Sequence, residues 1–240
     1  MIWFMFVTFV SFIVKGLCGF ANTMVFTTML SFSGSVMQHI MPVNLLLNYP
    51  TNVIMAWKDR RSLNRSVWLP LSIMVVVGTI PGTIFFKNTD TRWIEIIFGV
   101  MVILSVLDMM FRKSKSAVAE GKIDWKMGIL GILAGFVTGF CGIGVLVGTY
   151  VSKATKDTHA FKANACLVYF IGDTTKMIMY LILDLLSVEI LLESLMLYPA
   201  VVLGLWLGMK ISSRLKESAV KKFVMIMLLL SGLVMVITNL

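Results

Sequence analysis

Long apolar stretches separated by short polar turns recur along the whole chain. They run Ile2–Phe32, Ile40–Trp57, Ser66–Phe86, Trp93–Phe111, Lys126–Val151, Phe161–Leu183, Ile190–Ile211 and Phe223–Leu240. A bilayer core of about 30 Å is crossed by about 20 helical residues, so most of these stretches predict one membrane helix each. The first is too long: at about 1.5 Å per residue it would reach roughly 46 Å as a single helix. It also carries Lys15, Gly16 and Gly19 near its middle, which predicts a break there. The longest polar stretch, Arg112–Asp124, divides the chain into a first membrane repeat over 1–111, a cytoplasmic linker over 112–124 and a second membrane repeat over 125–240.

The two halves resemble each other. Lys15-Gly16-Leu17-Cys18-Gly19-Phe20 aligns with Thr138-Gly139-Phe140-Cys141-Gly142-Ile143, and Val77-Gly78-Thr79-Ile80-Pro81-Gly82 aligns with Leu203-Gly204-Leu205-Trp206-Leu207-Gly208. The offsets are 123 and 126 residues, a drift that a loop insertion explains. Small residues four apart are common at membrane helix contacts; two such matches in the same order at nearly one offset point to an internal duplication.

Composition narrows the class. Of 240 residues 58% are hydrophobic and 14% charged, where a soluble domain is about a quarter charged. A polar surface cannot be built from so few charges, so soluble enzymes and nucleic-acid binders are excluded and the bilayer is the surrounding medium. The net charge of +9 needs no acidic partner, because Lys and Arg gather in cytoplasmic loops. The first residues do not read as a cleavable signal, lacking a basic start and a small-residue cleavage site before Lys15. Cys18, Cys141 and Cys166 all lie in apolar runs, which excludes a secreted disulfide framework. His39 and His159 are too few and too separated for a metal cage, and no cofactor is implied.

Charge counting predicts topology. Basic residues cluster at Lys58–Arg65, Lys87–Arg92, Arg112–Lys126, Lys153–Lys162 and Lys210–Lys222, with Lys15 and Lys176 inside apolar runs. If every stretch crosses once, the two sides receive 9 and 10 of the 21 basic residues, which is no bias. If the first stretch of each half enters and returns at its glycines, one side holds 17 and the other 2. Short loops follow the positive-inside rule, so the second arrangement is preferred. Each half then makes an odd number of crossings, the repeats have inverted topology, and both termini lie outside the cytoplasm.

The predicted fold class is therefore an all-α polytopic membrane protein with two inverted-topology repeats of four hydrophobic segments, the first segment of each broken and re-entrant at a glycine-rich tip. Such tips leave backbone groups unpaired and are tolerated only beside protein or a water-filled cavity. The returning arms start near Phe20–Thr23 and Ile143–Leu146, and a helix N-terminus attracts anions. The candidate substrate-binding residues are Lys15, Gly16, Cys18, Gly19, Asn22 and Thr23 in the first half and Gly139, Cys141, Gly142, Gly144 and Lys176 in the second. Asp173, three residues before Lys176 and hence on the same helical face, is a coupling candidate. The alternatives are that Lys176 and Asp173 pair as structural glue and that Lys15 snorkels to an interface. Asn48 and Asn52 are read as interhelical hydrogen-bonders. Cys18 and Cys141 occupy equivalent positions, either as small residues in tight turns or as a dithiol.

At these residues the sequence resembles the sulfite exporter TauE/SafE family. The resemblance covers nearly the whole chain: its length, its two related halves, and the stretches Gly16-Leu-Cys-Gly19-Phe-Ala-Asn22 and Gly139-Phe-Cys-Gly142-Ile-Gly144. The glycines are sparser than in the family's triple-glycine version, with Ala21-Asn22 in place of a further glycine. The resemblance implies a secondary transporter that moves a small sulfur-containing anion, such as sulfite or an organosulfonate, across a bacterial inner membrane by alternating access. The rival readings are a membrane dithiol redox carrier using Cys18 and Cys141, and an anion channel on the same scaffold. The implied partners are the small anion and the lipid bilayer; a homo-oligomer is compatible with the sequence. No phosphate-binding loop is present, so direct ATP drive is not expected.

Overall fold

The computed structural model of this protein describes residues 2–18, 21–31, 33–111, 125–155 and 158–212, with 226, 229, 232, 233, 236 and 237 in the last stretch. The polar stretch assigned to a linker, 112–124, lies outside the described residues, and so do most of the Lys210–Lys222 loop and Gly19. Among the described residues the secondary structure is all helix: α1 (Ile2–Cys18), α2 (Asn22–Ser31), α3 (Met37–Lys58), α4 (Arg65–Asn88), α5 (Thr91–Phe111), α6 (Trp125–Cys141), α7 (Val145–Ala154), α8 (Thr158–Ile182) and α9 (Val188–Ser212). A short 3-10 turn, Arg60–Ser62, links α3 to α4.

The first and fifth hydrophobic segments are each two helices. α1 and α6 have 17 residues and α2 and α7 have 10. At 1.5 Å per residue these are about 25 Å and about 15 Å long, so α2 and α7 are too short to cross a bilayer core. In length and composition Arg65–Asn88, His159–Ile182 and Val188–Ile211 suffice to cross a membrane. α3, with 22 residues, is slightly shorter and more polar, with Asn44, Asn48, Thr51 and Asn52 buried along it.

The break between α6 and α7 is made by glycine. Gly142 takes φ +68° and its N–H donates to the Thr138 carbonyl at 2.8 Å, the left-handed closure that ends many helices. The break between α1 and α2 uses an alanine: Ala21 has φ +72°, a conformation that costs a residue with a Cβ roughly 1–2 kcal/mol.

The helices gather into two compact units, each drawing on both halves of the sequence. The first contains Met1–Leu47, Thr89–Arg112 and Leu186–Leu240, the second Asn48–Asn88 and Lys113–Leu185. In the first, α1 packs against α9 and α2 around Val7, Phe12, Phe26, Leu30, Val43 and Leu197. In the second, α4 packs against α6 and α8. Ile73, Val77 and Ile84 on the outer side of α4, and Val202, Leu203 and Trp206 on that of α9, are exposed. Contiguous apolar faces of this kind suit lipid rather than water.

Candidate functional site

Small residues set how closely the broken helices approach their neighbours. In the second unit a Cβ on Gly139 of α6 would lie 2.5 Å from the Thr79 carbonyl oxygen of α4, and one on Gly135 would lie 2.5 Å from that of Val75. Gly78 and Gly82 of α4 meet the Ile132 and Phe136 carbonyls in return. In the first unit a Cβ on Gly16 of α1 would lie 2.7 Å from the Leu205 carbonyl oxygen of α9, while Gly204 and Gly208 meet the Phe9 and Ile13 carbonyls. Helices this close touch through backbone, by the small-residue packing that drives association in lipid. The contacts correspond. Gly78 and Gly204 are 126 residues apart, and their carbonyl partners Ile132 and Phe9 are 123 apart; Gly139 and Gly16 are 123 apart, and their partners Thr79 and Leu205 are 126 apart.

Each unit holds a lysine at the end of its first broken arm. Lys15 lies in the last turn of α1, is 1% exposed and has its ammonium 5.7 Å from the Phe12 ring centre. It therefore does not snorkel to the surface. Lys176, on α8, is 3% exposed and its Nζ donates to the Thr138 carbonyl at 3.3 Å, in the last turn of α6. The ammonium also faces the Tyr180 and Phe86 rings at 5.3 and 6.0 Å. Helix C-termini carry partial negative charge, so both lysines occupy favourable ends. An ammonium has three donors, and Thr138 takes one.

The α8 face that bears Lys176 is polar along its length. Tyr169, Asp173, Lys176 and Tyr180 follow one another at spacings of four, three and four, which places them on one stripe of the helix. Tyr169 donates its hydroxyl to the Gly144 carbonyl at 2.6 Å, at the α6–α7 tip. A Cβ on Gly144 would collide with the same ring. Asp173 turns toward α3, where its carboxylate accepts from Asn52 Nδ2 at 2.7 Å. Asp173 and Lys176 thus engage different helices, α3 and α6. Asn52 Oδ1 and the Tyr180 hydroxyl are buried without a hydrogen-bond partner among the described residues. Buried polar groups are satisfied in the great majority of cases, so two orphaned ones beside a buried lysine and a half-buried carboxylate mark a place able to receive a polar ligand.

The returning helices begin as the sequence suggests. α7 starts at Gly144, which makes no side-chain cap hydrogen bond. α2 starts at Asn22, which is 4% exposed, and Thr23 Oγ1 accepts from Asn44 Nδ2 at 2.9 Å. Cys141 closes α6 as a fully buried free thiol. Cys18 closes α1, its side chain lying outside the described residues. The structure therefore brings Gly139, Cys141, Gly142, Gly144, Lys176 and Asp173 into one unit, and Lys15, Gly16, Asn22 and Thr23 into the other. Thr138, Tyr169 and Tyr180 were not singled out in the sequence, although the spacing of the tyrosines around Lys176 is readable there. His39 pairs with Glu193 at 2.9 Å. Among the described residues no group of His, Cys, Asp and Glu could hold a metal ion.

No curated protein and no solved structure matches the chain significantly. The family model described as sulfite exporter TauE/SafE matches residues 4–235. With its apolar helices and near-complete coverage by that model, this multi-pass membrane protein belongs to the sulfite exporter TauE/SafE family.

Proposed function

We infer that the protein is a secondary transporter that carries a small sulfur-containing anion, sulfite or an organosulfonate, across the inner membrane by alternating access. The observation that carries this reading is the buried polar group on α8 and α3: Lys176 beside the α6 C-terminus, Asp173 held by Asn52, and the orphaned Asn52 Oδ1 and Tyr180 hydroxyl. A charge at membrane depth is costly and is retained where it faces a substrate path or a partner. Sulfite is a compact oxyanion, and an ammonium with donors to spare, a hydroxyl and the first-turn N–H groups of α7 suit its oxygens.

The family name supports the substrate class, and the matched backbone contacts of Gly16 and Gly139 support two related halves. Two halves of like build, each with a helix broken at membrane depth, form the usual frame for alternating access. In this reading the repeats are inverted, α1–α2 and α6–α7 are re-entrant hairpins, the basic loops face the cytoplasm and both termini face outward. The candidate substrate-binding residues are Lys15, Gly16, Cys18, Gly19, Asn22 and Thr23 in the first half, and Gly139, Cys141, Gly142, Gly144 and Lys176 in the second. Asp173 couples transport to protons, taking one up when the site faces one side and releasing it at the other.

The experiment is sulfite flux into proteoliposomes under imposed pH and potential gradients. Saturable flux that answers to the pH gradient in the native protein, and no longer does so in Asp173→Asn, is the expected result. Flux indifferent to both gradients contradicts coupling, and the lack of sulfite or sulfonate flux by folded protein contradicts the transport reading.

A further inference from the structure

Between the end of α3 and the start of α4 the chain carries Lys58, Arg60, Arg61 and Arg65 within eight residues. Such a charge run is ordinarily a solvated loop, but here it is fixed from beneath. Asn164 of α8 is fully buried. It accepts from the Asn64 backbone N–H at 2.9 Å and donates to the carbonyls of Ser62 at 3.2 Å and Ala160 at 2.7 Å. One side chain thereby pins the α4 end of the turn, at Ser62 and Asn64, to α8. At the other end His159 Nδ1 meets the Asp59 carboxylate at 2.9 Å, and the Arg60 guanidinium lies over the Trp57 ring, 4.6 Å from its centre.

The turn borders an open hollow of about 540 Å³ lined by residues 57–62 and His159. Lys58, Arg60 and Arg61 bring three positive charges to it, and its one carboxylate, Asp59, is engaged by His159. An anion is the ligand this lining selects. A second feature says what kind of anion. On α3, Val53, Ile54 and Trp57 are 39%, 53% and 67% exposed. At positions i, i+1 and i+4 they lie along one side of the helix, an apolar track that ends at the basic cavity. Tryptophan is characteristic of the level where lipid headgroups meet acyl chains, and basic pockets at that level hold anionic headgroups.

The geometry points to a binding site for the phosphate headgroup of an anionic phospholipid, held by Arg60 and Arg61, with the acyl chains laid along Val53, Ile54 and Trp57. A soluble phosphate would use the cations alone and leave the apolar track idle. The site is separate from the polar group around Lys176 and does not depend on what the protein transports.

Native mass spectrometry of the full-length protein, released from nanodiscs of equal parts phosphatidylglycerol and phosphatidylcholine, tests it. Phosphatidylglycerol is expected to be the lipid retained. Retention should fall about thirtyfold in the Arg60→Gln/Arg61→Gln double variant and about fivefold in Arg61→Gln alone, from the attraction of each basic residue to anionic lipid. Arg61→Gln keeps the Arg60–Trp57 stack and so gives a reading even if the double variant fails to fold. Trp57→Ala should also reduce retention, while Arg65→Gln, which does not line the cavity, should not. Equal retention of the two lipids, or unchanged retention in both arginine variants, overturns the proposal. So does displacement of the lipid by millimolar inorganic phosphate with no effect of Trp57→Ala, which would assign the cavity to a soluble anion.

Discussion

The α1–α9 and α4–α6 pairs are built alike in backbone and differently in polar groups. In both, glycines four residues apart on one helix receive carbonyls of the other, and the partners correspond at offsets of 123 and 126 residues. The lysines do not correspond. Lys15 sits on the broken helix itself, whereas Lys176 arrives at the equivalent place from α8. The turns differ as well, with φ +68° at Gly142 and φ +72° at Ala21. Packing in a membrane tolerates little change of shape where helices touch through backbone, so the close approaches persist in both pairs. A charge can be brought to a helix end from any neighbouring helix, so the polar groups differ where the backbone contacts agree.

The largest effects should come from the feature the two pairs share. Gly139→Val and Gly16→Val each place side-chain atoms where a carbonyl oxygen now stands. Each should destabilise by about 3 kcal/mol, the upper range for overpacking, read as a fall in the unfolding midpoint in detergent. The two losses should be similar; a tolerated valine at one position only would break the equivalence.

The next test concerns the feature they do not share. Lys176→Met should weaken sulfite binding about tenfold or more, the worth of a charge-assisted hydrogen bond, without preventing insertion. Lys15→Met should weaken it as well. Measuring both affinities by isothermal titration sharpens the comparison, since an unchanged value removes that lysine from the site.

The turns should respond in opposite directions. Gly142→Ala puts a Cβ on a left-handed residue and should cost roughly 1–2 kcal/mol. Ala21→Gly relieves the same strain but loosens the unfolded chain, leaving a gain of up to about 1 kcal/mol. Denaturant midpoints of the two variants check the signs. The smallest effect is expected at the thiol: Cys141→Ser should leave sulfite flux within about twofold, because serine keeps nearly the size of the cysteine at that tip. Loss of flux would favour the dithiol reading.

The first broken segment is legible because length and glycine position are local facts: 31 residues from Ile2 to Phe32 with Gly16 and Gly19 inside cannot form one crossing. Lys126–Val151 is short enough to cross once, and its break is read from charge bias and the repeat. The glycines that pack were also visible, as small residues at helical spacing. Their partners were not, because spacing along one helix does not say which other helix it meets. α1 joins α9 and α6 joins α4, each across the middle of the chain. Asp173 and Lys176 show the same limit. Three residues apart, they share a face, but the spacing does not show that Asp173 also accepts from Asn52 of α3 and Lys176 also donates to Thr138 of α6. Ala21 at φ +72° carries no signal of its own, since alanine seldom adopts that conformation; the one pointer is the family resemblance, in which Ala21-Asn22 stand in place of a further glycine. The burial of Lys15 depends on what covers it, which only tertiary packing decides.

In the proposed function the protein carries its anion by changing shape rather than conducting it through a pore. Counterflow tests this most directly. Proteoliposomes loaded with unlabelled sulfite and diluted into a trace of labelled sulfite, with the membrane potential clamped to zero, should accumulate label transiently above its external concentration. A carrier must show this overshoot, because unlabelled sulfite leaving on the same site returns it facing the label. Label that only equilibrates, at any loading, would contradict alternating access and assign the protein to the channels.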